Sequence, residues 1–177
     1  MSGHNDIVGG YKLIYETHSF NVVTLTNPHI SRSDGGHIII MPKKNGYKNR
    51  TEMPVKMAVE MLALTMIAGE AMSAVLLKNG IDIGCINYQE NGNWAYLRGI
   101  EPRMHVHIYG RAKSAKSQKF GQALFFPDPG SDFYDSFEPL DEKDIKEIRA
   151  EIMIIAKRER YKDYSCLILE GNTGNIK

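Results

Sequence analysis

The run PRMHVHIYGR at residues 102–111 constrains this chain more than any other stretch. Side chains of a strand alternate between its two faces. Met104, Val106 and Ile108 then share one face, and Arg103, His105, His107 and Tyr109 share the other. An apolar face requires a core behind it. The opposite face gathers a guanidinium and two imidazoles, which suits anionic substrate chemistry. Imidazole serves as base, acid, nucleophile or metal ligand near neutral pH.

The rest of the chain tells what surrounds that strand. Its 177 residues suit one globular domain with some elaboration, and 42% hydrophobic content fills a core. A formal net charge of +1 argues against a broad surface for polymeric nucleic acid or membrane, so anion recognition must be local. Only two cysteines occur, Cys85 and Cys166, without metal-type spacing. With no apolar signal region in MSGHNDIVGG and no run approaching membrane-spanning length, the expectation is a soluble cytoplasmic protein.

Residues 1–10 read as a loose lead-in. Residues 12–15 and 20–26 (FNVVTLT) are short β-branched and aromatic runs, hence a hairpin. NPHISRSDGG at 27–36 is rich in turn formers, and GHIIIMP at 36–42 is a buried strand closed by proline. Lys43 and Lys44 open a solvated loop. From 54 to 78 the pattern turns helical, with Ala58, Met61, Leu62, Thr65, Ala68, Met72, Val75 and Leu76 inward and Lys56, Glu60 and Glu70 outward. Asn79-Gly80 ends that helix. Strands follow at about 83–90 and 104–111, joined by a loop over 91–101. Beyond residue 113 lies a C-terminal extension. Its one helix, about 141–160, is capped by Asp141 and buries Ile145, Ile148, Ile152 and Ile155; the tail from 171 reads as disordered. This order implies an α+β fold, an antiparallel sheet with helices packed on it.

Several ordered pieces resemble the histidine-triad (HIT) superfamily. FNVVTLTNPHISRSDGGHIIIMPKK looks like that family's entry, with its Gly-His-apolar-apolar-apolar-x-Pro-Lys run. A long helix and a strand leading to Glu90-Asn91-Gly92 follow, and His107-Ile-Tyr-Gly-Arg111 matches the end of the triad strand. The resemblance covers residues 10–113, a HIT-like domain, and leaves 114–177 as the extension. It implies a nucleotidyl hydrolase or transferase acting at the α-phosphate of a nucleotide, nucleoside phosphoramidate or dinucleoside polyphosphate. A nucleotidyl-histidine intermediate carries the reaction, with no metal or other cofactor. Catalysis is implied for His105 as nucleophile, with His107 and Arg103 on the phosphoryl oxygens. Nucleotide binding is implied for Asn27, His37, Asn91 and Arg98, and a homodimer is the implied assembly.

The chain departs from the family at two places. Arg103 stands where the first triad histidine would be, and Arg98-Gly99-Ile100-Glu101-Pro102 replaces the usual Gly-Gln approach. Arginine supplies a planar, permanent phosphate clamp but not a titrating base. A non-catalytic nucleotide-binding or adaptor protein is therefore the rival reading. A third is zinc held by His37, His105 and His107, which adjacent Arg103 and the want of a fourth ligand disfavour. Trp94 and Tyr96 would wall a base pocket or pack on their own domain; His4, His18 and His29 have no supporting pattern and receive no role.

Overall fold

The computed structural model describes residues 10–44, 46–91 and 93–169. The expectations for residues 1–9 and for the tail from 171 lie outside them. Five strands form one antiparallel sheet: β1 (Tyr11–Glu16), β2 (Phe20–Leu25), β3 (His37–Pro42), β4 (Ile83–Gln89) and β5 (Val106–Ala112). Their spatial order is β1-β2-β3-β5-β4, with Ile39 opposite His107 across β3 and β5. The helices are α1 (Val55–Lys78), a short α2 (Asn93–Leu97), α3 (Glu142–Ile155) and a short α4 (Ser165–Leu169).

One face of the sheet is dry. Val22, Ile38, Ile40, Val106 and Ile108 pack beneath α1, and α3 adds Ile145, Ile148, Ile152 and Ile155 to the same buried cluster. The isoleucine stripe read from the sequence is therefore all core. The helix carrying it ends at Ile155 rather than 160, because Arg158 turns extended and a separate 3-10 turn occupies Glu159–Tyr161. α4 adds a second helix to an extension expected to hold one, and its Ile168 reaches the core. Asp141 and Asp144 form a reciprocal capping box, and buried Asp144 also takes a two-pronged contact from Arg32 at 2.5 and 2.9 Å. That contact ties α3 to the β2–β3 loop.

α1 departs from its expected faces at two positions. Glu60 is buried, where its carboxylate accepts from Thr17 and Ser19 in the β1–β2 turn, and Leu62 is exposed. α1 is also long and apolar enough to cross a bilayer, against the expectation that no run approaches that length; 67% of its most apolar window is buried in this domain. It is the core helix here. Asn79 and Gly80 end it as expected, Gly80 at a positive φ of 86°.

Two boundaries near the triad strand also shift. The 91–101 segment contains α2 and is not all loop. β5 begins at Val106 rather than 104, and the backbone N–H of Met104 goes instead to the Tyr47 carbonyl. β3 stops at Pro42, which has no N–H to extend the ladder.

Candidate active site

The other face of the sheet is polar along β5. Alternation puts His107, Tyr109 and Arg111 there, with His105 just before the strand on the same side. α2 arches over this face, and the extension crosses it. Between them lies a cleft of about 920 Å³, at the upper end of the roughly 300–1,000 Å³ of small-ligand sites. His105, His107 and Arg103 all line it, as do Asn27, Asn91, Arg98 and Trp94. His37 does not. It is 1% exposed behind His107, so its expected contact with a nucleotide becomes a supporting position.

The imidazoles form a row. His37 Nε2 lies 2.9 Å from His107 Nδ1, and His107 Nε2 lies 2.9 Å from His105 Nε2. At one end the backbone N–H of His29 donates to His37 Nδ1 at 3.2 Å. At the other, His105 Nδ1 lies 2.7 Å from the Arg103 carbonyl. An N–H can only donate and a carbonyl can only accept, so both ends dictate the same proton order. His37 carries its proton on Nε2, His107 on Nε2 and His105 on Nδ1. That leaves the lone pair of His105 on Nε2, accepting from His107.

Burial keeps the rings neutral. Desolvation lowers the pKa of His105, and of His37 and His107 well below the ordinary imidazole value. The neighbouring imidazoles push His37 and His107 the same way, since a second positive charge beside a first is unfavourable. A neutral ring with a free Nε2 lone pair is the form required for nucleophilic attack.

His29 has no supporting pattern in the sequence, yet it lies at the centre of the site. Its Nδ1 is 3.1 Å from the hydroxyl of fully buried Tyr109, and its ring is 5.4 Å from that of His107. Desolvation, then the charge of His105, brings its pKa down to about 4. The extension supplies further lining residues, Phe126, Asp128, Ser131, Tyr134 and Phe137 among them. It is anchored, not draped. The Arg111 guanidinium donates to the carbonyls of Lys119 and Gln122 at 2.9 and 3.0 Å, and Asp34 accepts three successive backbone N–H groups from Lys116 to Gln118. Trp94 meets His29 edge-on at 5.0 Å. Tyr96 is exposed and is not part of the cleft wall.

Among the described residues one group has metal-ligand potential: His29, His37 and His107, whose ligand atoms lie within 4.8 Å of one another. The set differs from the expected one, with His29 in place of His105. It fits zinc poorly. A cation there would break the bond between His37 and His107 and displace the His29 backbone N–H from His37.

No family model matches this sequence, and no curated protein does. Solved structures do share the architecture. A histidine triad protein from Marinobacter aquaeolei VT8 is 16% identical, with a TM-score of 0.55 over 82% of this chain and 88% of that one. A hypothetical histidine triad nucleotide-binding protein from Sulfolobus tokodaii gives 0.54 at 15% identity, over 83% and 87%. A Zn-bound histidine triad family protein from Mycobacterium smegmatis gives 0.53 at 17% identity, over 83% and 87%. The fold is that of histidine-triad proteins, an α+β sheet backed by helices.

Proposed function

We propose that this histidine-triad fold works as a nucleotidyl hydrolase or transferase, cutting at the α-phosphate of a nucleoside phosphoramidate, nucleotide or dinucleoside polyphosphate. The observation that carries the reading is the state of His105: Nδ1–H on the Arg103 carbonyl at 2.7 Å, and a neutral Nε2 at the surface of a 920 Å³ cleft. Substrate entry must first free that lone pair. The His107 N–H moves from His105 to a non-bridging phosphate oxygen, exchanging one acceptor for another. Arg103 and Arg98, both on the cleft wall, add charge that favours the developing phosphoryl oxyanions.

In the first half-reaction the Nε2 lone pair forms an N–P bond while the bond from phosphorus to the departing group breaks. The departing group keeps the bonding electrons and takes a proton from water. The ring, still protonated on Nδ1, carries positive charge that the Arg103 carbonyl stabilises. Water, or another acceptor hydroxyl, then attacks phosphorus and loses its proton to solvent. His105 leaves as a neutral imidazole, and the sum is hydrolysis or transfer with no redox change.

The test uses an adenosine phosphoramidate and a diadenosine polyphosphate with wild type and His105→Ala. Turnover lost in the variant, with an acid-labile nucleotidyl adduct on the wild type, supports the enzyme. Binding without turnover in either protein supports the adaptor reading, which Arg103 in place of a histidine favours.

A homodimer belongs to the same proposal. One sheet edge is covered, because Arg149 of α3 donates to the Leu13 and Ile14 carbonyls of β1. Among the described residues the opposite edge, β4, pairs with β5 alone, and beside it α1 exposes Val55, Val59, Leu62 and Met66 as a stripe at helical spacing. Light scattering should give twice the chain mass for wild type and the single-chain mass for Leu62→Asp. The cytoplasm, which is reducing, is the proposed location; there the exposed thiols Cys85 and Cys166 stay free.

A further inference from the structure

The cleft has two apolar compartments beside the histidine row. One is the outer face of β2 and β3, where Leu25, Ile39 and Met41 come together. The other is walled by His29, Trp94, Phe126 and Tyr134, from the β2–β3 loop, α2 and the extension. A substrate cleaved at His105 also has two parts, the nucleotidyl group that is transferred and the group that departs. We infer that the second compartment binds the departing group, and that it selects an uncharged or amine-linked planar aromatic ring.

This inference rests on the hydrolase reading above and adds what the enzyme removes. Three rings stand at steep angles around His29: Trp94 at 5.0 Å and 66°, Phe126 at 5.7 Å and 60°, Tyr134 at 6.0 Å and 52°. Ring edges and faces offered together complement the quadrupole of a planar guest better than they do an aliphatic one. Trp94, Phe126 and Tyr134 are each only partly buried, so their packing on His29 leaves surface for a ligand. The wall is held in place, because Tyr134 donates to the Pro127 carbonyl at 3.1 Å and the Gln118 amide clamps Phe125 through both its backbone groups. Charge narrows the choice further. Asp128 and Asp135 line the cleft with these rings, so a polyphosphate chain running into this compartment meets like charge, and an amine-linked ring does not.

The experiment compares adenosine 5′-phosphoramidates of 2-phenylethylamine and 2-cyclohexylethylamine, a pair that differs in aromaticity at nearly constant size. Wild type should cleave the phenylethyl compound with kcat/KM about tenfold higher, the size of one stacking contact. In Trp94→Leu and in Tyr134→Leu that ratio should fall to about one. A ratio near one in wild type overturns the inference while leaving the hydrolase reading standing. A second readout needs no activity. Trp94 is the single tryptophan, so its emission in His105→Ala reports occupancy of this compartment. The phenylethyl compound should shift it at about fivefold lower concentration than the cyclohexyl one; equal response overturns the inference even if turnover is absent altogether.

Discussion

The two faces of one sheet obey different rules. On the inner face, Ile38, Ile40, Val106 and Ile108 lie within 2% of full burial, and each buried aliphatic side chain contributes about 1.5–3 kcal/mol by leaving water. On the outer face, His37, His107 and Arg111 are nearly as buried, at 1%, 4% and 4% exposure. They gain nothing from leaving water; hydrogen bonds replace the lost solvation of both imidazoles and, except at the unpartnered Nε, of the Arg111 guanidinium. The inner face tolerates any residue of similar shape. The outer face depends on which atom carries each proton.

Four perturbations test that contrast, starting with the largest. His105→Ala should lower kcat/KM by at least about 10³-fold while leaving the thermal midpoint within a few degrees. Equal loss of stability and activity would merge the two faces into one. Ile108→Ala should cost about 2–5 kcal/mol in urea unfolding, with activity per folded molecule retained. His37→Phe keeps an aromatic ring but removes the donor to His107, freeing that histidine to adopt the wrong tautomer. Its kcat should fall about 10–100-fold with KM little changed; a change in KM alone would place His37 on the substrate after all.

The smallest effect is a pH slope. His29 sits at about 4 in the folded chain, His37 and His107 well below their ordinary value and His105 below it, against about 6.5 when unfolded. Below 6.5 the unfolded chain binds protons that the folded one refuses, so stability is fully present above 6.5 and declines as pH falls toward 4. The urea midpoint should drop between pH 7.5 and 5, and less so in His37→Phe. A flat profile would mean that the row is not held neutral by burial.

Much of this was legible in the sequence, for an identifiable reason. The inner face repeats, so Ile145, Ile148, Ile152 and Ile155 and most of α1 could be read from spacing alone. Parity also put His105, His107 and Tyr109 on one side. Residues that join the site through tertiary contacts carry no such pattern. His29 lies in a turn-forming segment, and only the fold brings its ring to Tyr109. Phe126 and Tyr134 sit in an irregular stretch whose placement depends on Arg111, Asp34 and Gln118 binding distant backbone. Glu60 looked outward by spacing and is buried because a turn elsewhere needed its carboxylate.

The close approach of Gly35 to Gly110 has a consequence for how the site can vary. A Cβ on either residue would collide with the other's carbonyl, and Gly35 holds a φ of 132° that other residues rarely adopt. The loop bearing His29 thus rests on the triad strand main chain to main chain, with no side chain between to act as an adjustable spacer. Drift in neighbouring residues can reshape the cleft's walls gradually, but the seating of that loop changes only in a jump.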